Sequence, residues 1–167
     1  MTGGSSKGAV AVARGARIVV IEARFYDDIA DNLLAGVAAA LDAAGATHRV
    51  ITVPGVAEIA AALAFAVEAA HRSPGAWGAD GYVVLGCAIK GETDHYDHIC
   101  REAMRGVQDL AVDGLLAVGN GILTVHSWDQ AMARCRLAPE GSDHGGQAAR
   151  ACLRMIALRG ELGLRAE

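Results

Sequence analysis

One segment in the middle of the chain combines residue types that can bind an anion and move a proton. It runs from Gly86 to His98 and reads GCAIKGETDHYDH. Thr93 or Asp94 is predicted to cap a helix here, and the free N–H groups at a helix start attract anions. We therefore expect the backbone at Glu92 and Thr93 to be able to hold a phosphate. The same spacing also fits an ordinary strand-to-helix turn capped by Thr93 or Asp94.

His95 lies in the first turn of that predicted helix, beside the candidate anion site. An imidazole titrates near neutral pH, so His95 is a candidate for proton transfer. A surface or capping histidine fits the same position. His98 follows at a spacing that can bind a metal on one helix face, but no third ligand accompanies the pair, and we predict no metal site.

Four further candidates lie close to the ends of other predicted elements. Phe25 follows the first strand and is interpreted either as a stacking platform for a planar ligand or as a plug of the core. Glu58 follows a Pro-Gly turn. It could bind ligand hydroxyls, or it could simply lie in the first turn of the next helix, where the helix dipole stabilises a negative charge. Arg134 and Arg136 end a short helix, a position that suits a phosphate or the helix C-terminus alone.

Short β-branched runs alternate with segments of helical periodicity along the chain. The predicted strands are Arg17–Glu22, His48–Val53, Gly81–Ala88 and a fourth within Leu115–Leu123. The predicted helices are Asp27–Ala44, Glu58–His71, Thr93 or Asp94 to Asp113, Ser127–Arg134 and about Gly145–Arg159. This alternation predicts an α/β fold, a three-layer αβα sandwich around a four-stranded parallel sheet. Ligands of such sheets bind beyond the carboxyl ends of the strands.

Length and composition predict one domain with a substantial core. The chain has 167 residues, 53% of them hydrophobic and 20% charged, which suits a single folded unit. We expect a flexible tail at 1–15, the folded domain at 16–159 and a frayed C-terminus at 160–167. The net charge of −4 argues against a broad nucleic-acid surface.

The sequence predicts a cytoplasmic protein. No apolar run reaches the roughly 18–20 residues of a membrane span, and the N-terminus lacks the layout of a signal peptide. None of the four cysteines forms a C-x-x-C pair, so we expect no zinc knuckle or redox motif and mostly buried, unpaired thiols. These residues are Cys87, Cys100, Cys135 and Cys152.

Taken together, the segments resemble the 6,7-dimethyl-8-ribityllumazine synthases of riboflavin biosynthesis. The resemblance extends from Arg17 to about Leu158, and the matching motifs are Arg24-Phe25, Val53–Ile59, Leu85–Asp97 and Gly121–Thr124. It implies a flavodoxin-like fold and a transferase that needs no metal or organic cofactor. The implied reaction joins 5-amino-6-(D-ribitylamino)uracil to 3,4-dihydroxy-2-butanone 4-phosphate, with loss of phosphate and water.

The resemblance also implies roles for individual residues on the pyrimidine side. Phe25 would stack on the pyrimidinedione ring, and Glu58 would bond a ribityl hydroxyl. Val56 and Ala57 would line the ribityl chain beside Glu58. The ring edge would meet mainly backbone groups of three consecutive residues, Cys87, Ala88 and Ile89.

On the phosphate side, the resemblance implies that Glu92 and Thr93 hold the phosphate through backbone N–H groups. His95 would transfer protons. Arg134 would clamp the phosphate from a neighbouring subunit, and Asn120 would reach the ring from an adjacent subunit.

The chain departs from the family pattern at four positions, which concern substrate affinity more than reaction type. Tyr26 stands where many members have Asn, and Ala57 replaces a bulkier residue. Asn120 stands where many members carry an aromatic, and His144 stands where many have Lys. A paralogue that binds a lumazine or flavin without turnover therefore remains an alternative.

Members of this family form pentamers, some of which build larger shells. The loop Leu137–His144 looks longer than the turn of shell-forming members, so we predict a homopentamer without a shell.

A phospho-acceptor receiver module is the other alternative for a fold of this class. It needs a cluster of carboxylates at the strand ends, whereas the third strand here ends in Cys87-Ala-Ile-Lys90.

Overall fold

The computed structural model describes residues 14–164 of the chain. Most of the predicted tail at 1–15, and the last three residues of the predicted C-terminal segment at 160–167, lie outside the described residues. Gly15 is described, and its N–H donates to the carbonyl oxygen of Gly45 at 2.8 Å.

The predicted parallel sheet is confirmed. The strands are β1 (Arg17–Ala23), β2 (Thr47–Val53), β3 (Gly81–Ile89) and β4 (Val118–Val125). Their order in the sheet is β2-β1-β3-β4, and each neighbouring pair is parallel. The carboxyl ends of all four strands therefore meet at one edge of the sheet, where the loops that follow them converge.

Helices cover both faces of this sheet, which confirms the three-layer fold. They are α1 (Asp27–Ala44), α2 (Ile59–Arg72), α3 (Pro74–Trp77), α4 (His95–Asp113), α5 (Trp128–Cys135) and α6 (His144–Glu161). On β1, Ile18 and Val20 pack in one buried cluster with residues of α1 and α6. Val19 and Ile21 point to the other face and pack with residues of α2 and α4. This alternation follows from the two-residue period of a strand.

The structure corrects several predicted boundaries. The fourth strand, predicted within Leu115–Leu123, runs from Val118 to Val125 and so ends two residues later than predicted. It starts after the turn that ends α4, where Leu115 has a φ of 50°. A 3-10 helix at Val56–Glu58 precedes α2, which begins at Ile59 instead of Glu58. The break expected around Pro74 contains the short helix α3.

Ser127 caps α5 as predicted. Its hydroxyl oxygen accepts a hydrogen bond from the backbone N–H of Gln130 at 3.2 Å. At the other end of the chain, α6 continues to Glu161, two residues beyond the predicted Arg159, and its N-terminus is capped by Asp143.

We predict that Ser127→Ala lowers the free energy of unfolding by about 1 kcal/mol, the usual loss when an N-cap acceptor is removed. Denaturant unfolding of both proteins at one fixed protein concentration measures this difference. Ser127→Asp keeps an acceptor at the cap and should unfold close to the wild type. Equal loss in both variants would show that the cap itself contributes little.

Candidate functional site

A cleft of about 500 Å³ lies at the carboxyl ends of β1, β2 and β3, beside the start of α4. It brings together most of the residues predicted from the sequence. Those that line it are Phe25, Val56, Ala57, Glu58, Cys87, Ala88, Ile89, Thr93 and His95. A cavity of this size and position fits a small-molecule ligand.

Phe25 forms part of the cleft rim between β1 and α1. The residue is 71% exposed, so the interpretation as a core plug is wrong. Its ring makes an edge contact with the ring of Tyr26, with centroids 4.9 Å apart, and Tyr26 makes a similar contact with Trp128 at 5.9 Å. An exposed aromatic ring can offer its face to a planar ligand.

The segment after β2 forms another wall of the cleft. Pro54 and Gly55 end the strand, and the 3-10 helix then buries Val56 while leaving Ala57 and Glu58 exposed. Gly86 of β3 allows this close approach, because a Cβ there would lie 3.0 Å from the Val56 side chain. The exposed Glu58 carboxylate can therefore accept hydrogen bonds from a polar ligand.

The end of β3 provides backbone groups rather than a reactive side chain. The pairing of β1 with β3 ends at Glu22 opposite Leu85, whereas β3 continues to Ile89. The edge of β3 beyond Leu85 therefore faces the cleft where β1 has already ended. Burial, followed by Cys135 and Cys100, raises the pKa of the Cys87 thiol to about 12, so Cys87 is neutral near pH 7.

The start of α4 places His95 in the cleft as the first residue of the helix. The predicted side-chain cap is wrong for Asp94: it occupies the N-cap position with helical φ and ψ, and its side chain makes no capping hydrogen bond. The first-turn N–H groups therefore lack that side-chain partner and can bind an anion. Thr93 lines the cleft, whereas Glu92 is exposed outside the lining.

Tyr96 is a cleft residue that the sequence reasoning missed. It is half-buried beside His95, and its ring lies 6.2 Å from the ring of His126. Burial, followed by the nearby Cys100, raises the pKa of the Tyr96 hydroxyl. The signal for Tyr96 was its place directly after His95 in the Gly86–His98 segment.

Asn120 and Arg134 lie outside the cleft of their own chain. The Asn120 side-chain oxygen accepts a hydrogen bond from the N–H of Ile122 at 3.0 Å. The Arg134 guanidinium donates to the carbonyl oxygen of Gln130 at 2.9 Å. Burial, and then the charge of Arg134, lower the pKa of His144.

Asn120 instead lines a second cavity of about 440 Å³ between α4, β4 and α6. Large hydrophobic residues are exposed along it. They are Val112, Leu115, Met155, Leu162 and Leu164. We call this surface the apolar groove. A continuous exposed apolar patch is typical of a surface that contacts another protein.

Two further properties of residues 14–164 bear on the class of protein. None of their helices has both the length and the apolar character that a membrane crossing requires. Within the same residues, no three His, Cys, Asp or Glu side chains are grouped so that they could hold a metal ion.

Comparison with known proteins gives one consistent result. Residues 15–160 match the family model of 6,7-dimethyl-8-ribityllumazine synthase. A synthase of that name from Paramagnetospirillum magneticum is 53% identical over 149 residues, which cover 89% of this chain and 98% of the relative. The synthase 1 of Rhizobium meliloti is 53% identical over 87% of this chain and 93% of its own length. The synthase from Agrobacterium fabrum is 51% identical over 87% and 96%.

We predict that iodoacetamide leaves Cys87 unmodified in the folded protein at pH 8. A buried thiol with a pKa of about 12 carries almost no thiolate at that pH, and the thiolate is the nucleophile. Mass spectrometry of the digested protein measures the modification, and denatured protein is the control in which Cys87 must react. Equal rates in folded and denatured protein would contradict the neutral thiol.

Proposed function

The chain belongs to the 6,7-dimethyl-8-ribityllumazine synthase family, and on that premise we propose how its residues carry out the reaction. It is a transferase of riboflavin biosynthesis. It condenses 5-amino-6-(D-ribitylamino)uracil with 3,4-dihydroxy-2-butanone 4-phosphate and releases phosphate and water. The observation that supports the assignment of roles is the cleft, in which His95 and the predicted pyrimidine-binding residues converge.

The pyrimidine substrate occupies the side of the cleft formed by β1, β2 and β3. Phe25 stacks on the pyrimidinedione ring, since its ring is exposed at the rim. Backbone groups of Cys87, Ala88 and Ile89 hydrogen-bond the ring edge, as the extension of β3 beyond β1 allows. The ribityl chain lies along the segment after β2, where Val56 and Ala57 contact it and Glu58 accepts a hydrogen bond from a hydroxyl.

The phosphate-bearing substrate binds at the start of α4. Backbone N–H groups at Glu92 and Thr93 hold its phosphate beside the positive end of the helix dipole. His95 lies next to this point and transfers protons, because imine formation, phosphate elimination and ring closure each require a proton to move near neutral pH. Holding both substrates in one cleft supplies a further part of the rate enhancement.

Two residues of the site come from a neighbouring copy of the chain. Arg134 and Asn120 lie outside the cleft of their own chain, and both are exposed. Arg134 therefore clamps the phosphate of the neighbour, since a guanidinium binds phosphate through paired hydrogen bonds. Asn120 reaches the neighbour's ring from the side of the apolar groove.

We infer a homopentamer without a shell as the assembly, with the apolar groove in the contact between copies. The exposed Val112, Leu115 and Leu162 of the groove support an interface between copies. A cytoplasmic location agrees with the cysteines, which are all free thiols, as is usual in a reducing compartment.

The first test is to mix the purified protein with both substrates and follow the fluorescence of the lumazine product. We expect product to form with the wild type. His95→Ala should lower kcat by about a hundredfold or more, the usual contribution of a general acid–base, and leave binding of inorganic phosphate nearly unchanged.

His98→Ala is the matched control, because His98 is exposed one turn along the same helix and lies outside the cleft lining. It should keep the wild-type rate. An unchanged rate in His95→Ala would remove His95 from the mechanism. A wild-type protein that binds lumazine tightly without forming it would support the non-catalytic alternative instead.

Arg134→Ala should raise KM for the phosphate-bearing substrate by about tenfold, the effect of losing one charge-assisted pair, with KM for the pyrimidine unchanged. Arg136→Ala tests the other candidate arginine and should leave the KM for the phosphate-bearing substrate unchanged; a rise there with none in Arg134→Ala would assign the clamp to Arg136. If Arg134 acts in the neighbour's site, oligomers reassembled from His95→Ala and Arg134→Ala chains should exceed the mean activity of the two parents when the phosphate-bearing substrate is kept below its KM, because some contacts then pair two intact residues. No recovery on mixing would contradict a role across subunits.

The solution mass should be about 85 kDa, since one chain is 17.1 kDa. Val112→Asp places a charge in the apolar groove and should shift the mass toward smaller species. Asp113→Asn, at the next exposed position, should leave the mass unchanged. Shell-sized particles in light scattering or electron microscopy would contradict the prediction, based on the loop Leu137–His144, that the pentamers do not form a shell.

A further inference from the structure

Glu22, near the end of β1, is the only charged side chain that is buried among residues 14–164, with 4% of its surface exposed. Its carboxylate accepts two hydrogen bonds from the Arg24 guanidinium, at 3.1 and 3.2 Å. A third comes from the Thr52 hydroxyl of β2 at 2.9 Å. A buried ion pair is often no more stabilising than an apolar pair of similar volume. Stability alone therefore does not account for this ion pair, whereas the geometry that it fixes beside the cleft can.

Arg24 connects three elements around the cleft. Its guanidinium holds Glu22 of β1 and also donates to Asp31 of α1 at 2.8 Å, with a weaker contact to Asp27 at 3.4 Å. Its backbone N–H donates to the carbonyl oxygen of Val53, the last residue of β2, at 3.0 Å. The two-pronged contact with Glu22 fixes the plane of the guanidinium as a single hydrogen bond could not.

Phe25 is the next residue in the chain, and the segment between β1 and α1 has only three residues. Because 71% of Phe25 is exposed, core packing does not hold its ring. Its aromatic contact is the edge of Tyr26. The direction of the ring over the cleft must therefore be set by the backbone on either side of it.

We propose that Arg24, anchored on Glu22, is a positioning residue that fixes Phe25 for stacking on the pyrimidine ring. This inference rests on the proposed function. A ring already held in its bound orientation loses less freedom when the substrate binds. Arg24 therefore acts on the affinity for the pyrimidine substrate, whereas the phosphate-bearing substrate, bound at the start of α4, does not depend on it.

The test is Arg24→Lys, which keeps the charge but loses the two-pronged contact. We expect KM for the pyrimidine to rise by about tenfold, with kcat and KM for the phosphate-bearing substrate within about twofold of wild type. Arg154→Lys is the matched control, because Arg154 makes a similar contact with Glu161 on α6, outside the cleft. It should leave both KM values unchanged.

The same substitution in a Phe25→Ala background shows whether Arg24 acts through Phe25. Once the ring is removed, Arg24→Lys should have no further effect on the pyrimidine KM. An equal additional rise in that background, or equal rises for both substrates in Arg24→Lys alone, would overturn the proposal. A merely structural role would affect both substrates together.

Circular dichroism and solution mass show whether Arg24→Lys folds. If it does not, Asp31→Asn provides a second test of the same proposal. The Asp31 side chain is 67% exposed, so its substitution should leave the fold intact. It weakens one arm of the Arg24 contact and should raise the pyrimidine KM about twofold to threefold. No rise would overturn the proposal. If the wild type formed no lumazine, the proposed function would fail first, and this inference with it.

Discussion

The unequal length of β1 and β3 is the constraint on which the site depends. Pairing between these central strands ends at Leu85, and β3 then runs on to Ile89. A strand that extends beyond its neighbour has unpaired backbone donors and acceptors at its edge, and such groups need partners when they are buried. A planar heterocycle with its own donors and acceptors suits that edge. The segment after β2 lies against this end of β3 because Gly86 lets the 3-10 helix at Val56–Glu58 approach the strand.

In our proposal, few groups carry out the reaction, and each has a separate role. Cys87 is kept neutral by burial, with a pKa of about 12, so it does not compete as a nucleophile. In our proposal, His95 at the start of α4 moves the protons. In our proposal the phosphate is held by backbone N–H groups, which offer donors without a fixed charge. A chain of net charge −4 can thus receive a phosphorylated substrate at a local site.

In our proposal, each site is formed by two surfaces that belong to different copies of the chain. The cleft contains most of the residues proposed to bind the pyrimidine and to move protons. Arg134 and Asn120 lie outside its lining and form hydrogen bonds elsewhere in their own chain. The apolar groove beside Asn120 exposes Val112 and Leu162, a costly arrangement for an isolated chain. Assembly would bury this surface and complete the site in one step, which links folding of the oligomer to activity.

The sequence by itself determined the succession of the four strands and the longer helices along the chain, because each follows from local periodicity. Asp27–Ala44 was predicted with its observed bounds, and the Ser127 cap was recognised from residue type alone. Most of the motif residues also line one cleft, since parallel strands bring their carboxyl ends together. Glu92 and the Gly121–Thr124 motif lie outside its lining. The roles given to them remain proposals.

Only the tertiary structure decided which distant groups meet. Glu22 reads in the sequence as an ordinary end of a strand. Its burial against Arg24 and Thr52 depends on the pairing of β1 with β2 and on the position of α1. The apolar groove escaped prediction for the same reason. Tyr96 belongs to the recognised Gly86–His98 segment, and only its half-buried place in the cleft required the structure. Burial and contact across elements far apart in the chain depend on how those elements pack, and local residue patterns do not encode that packing.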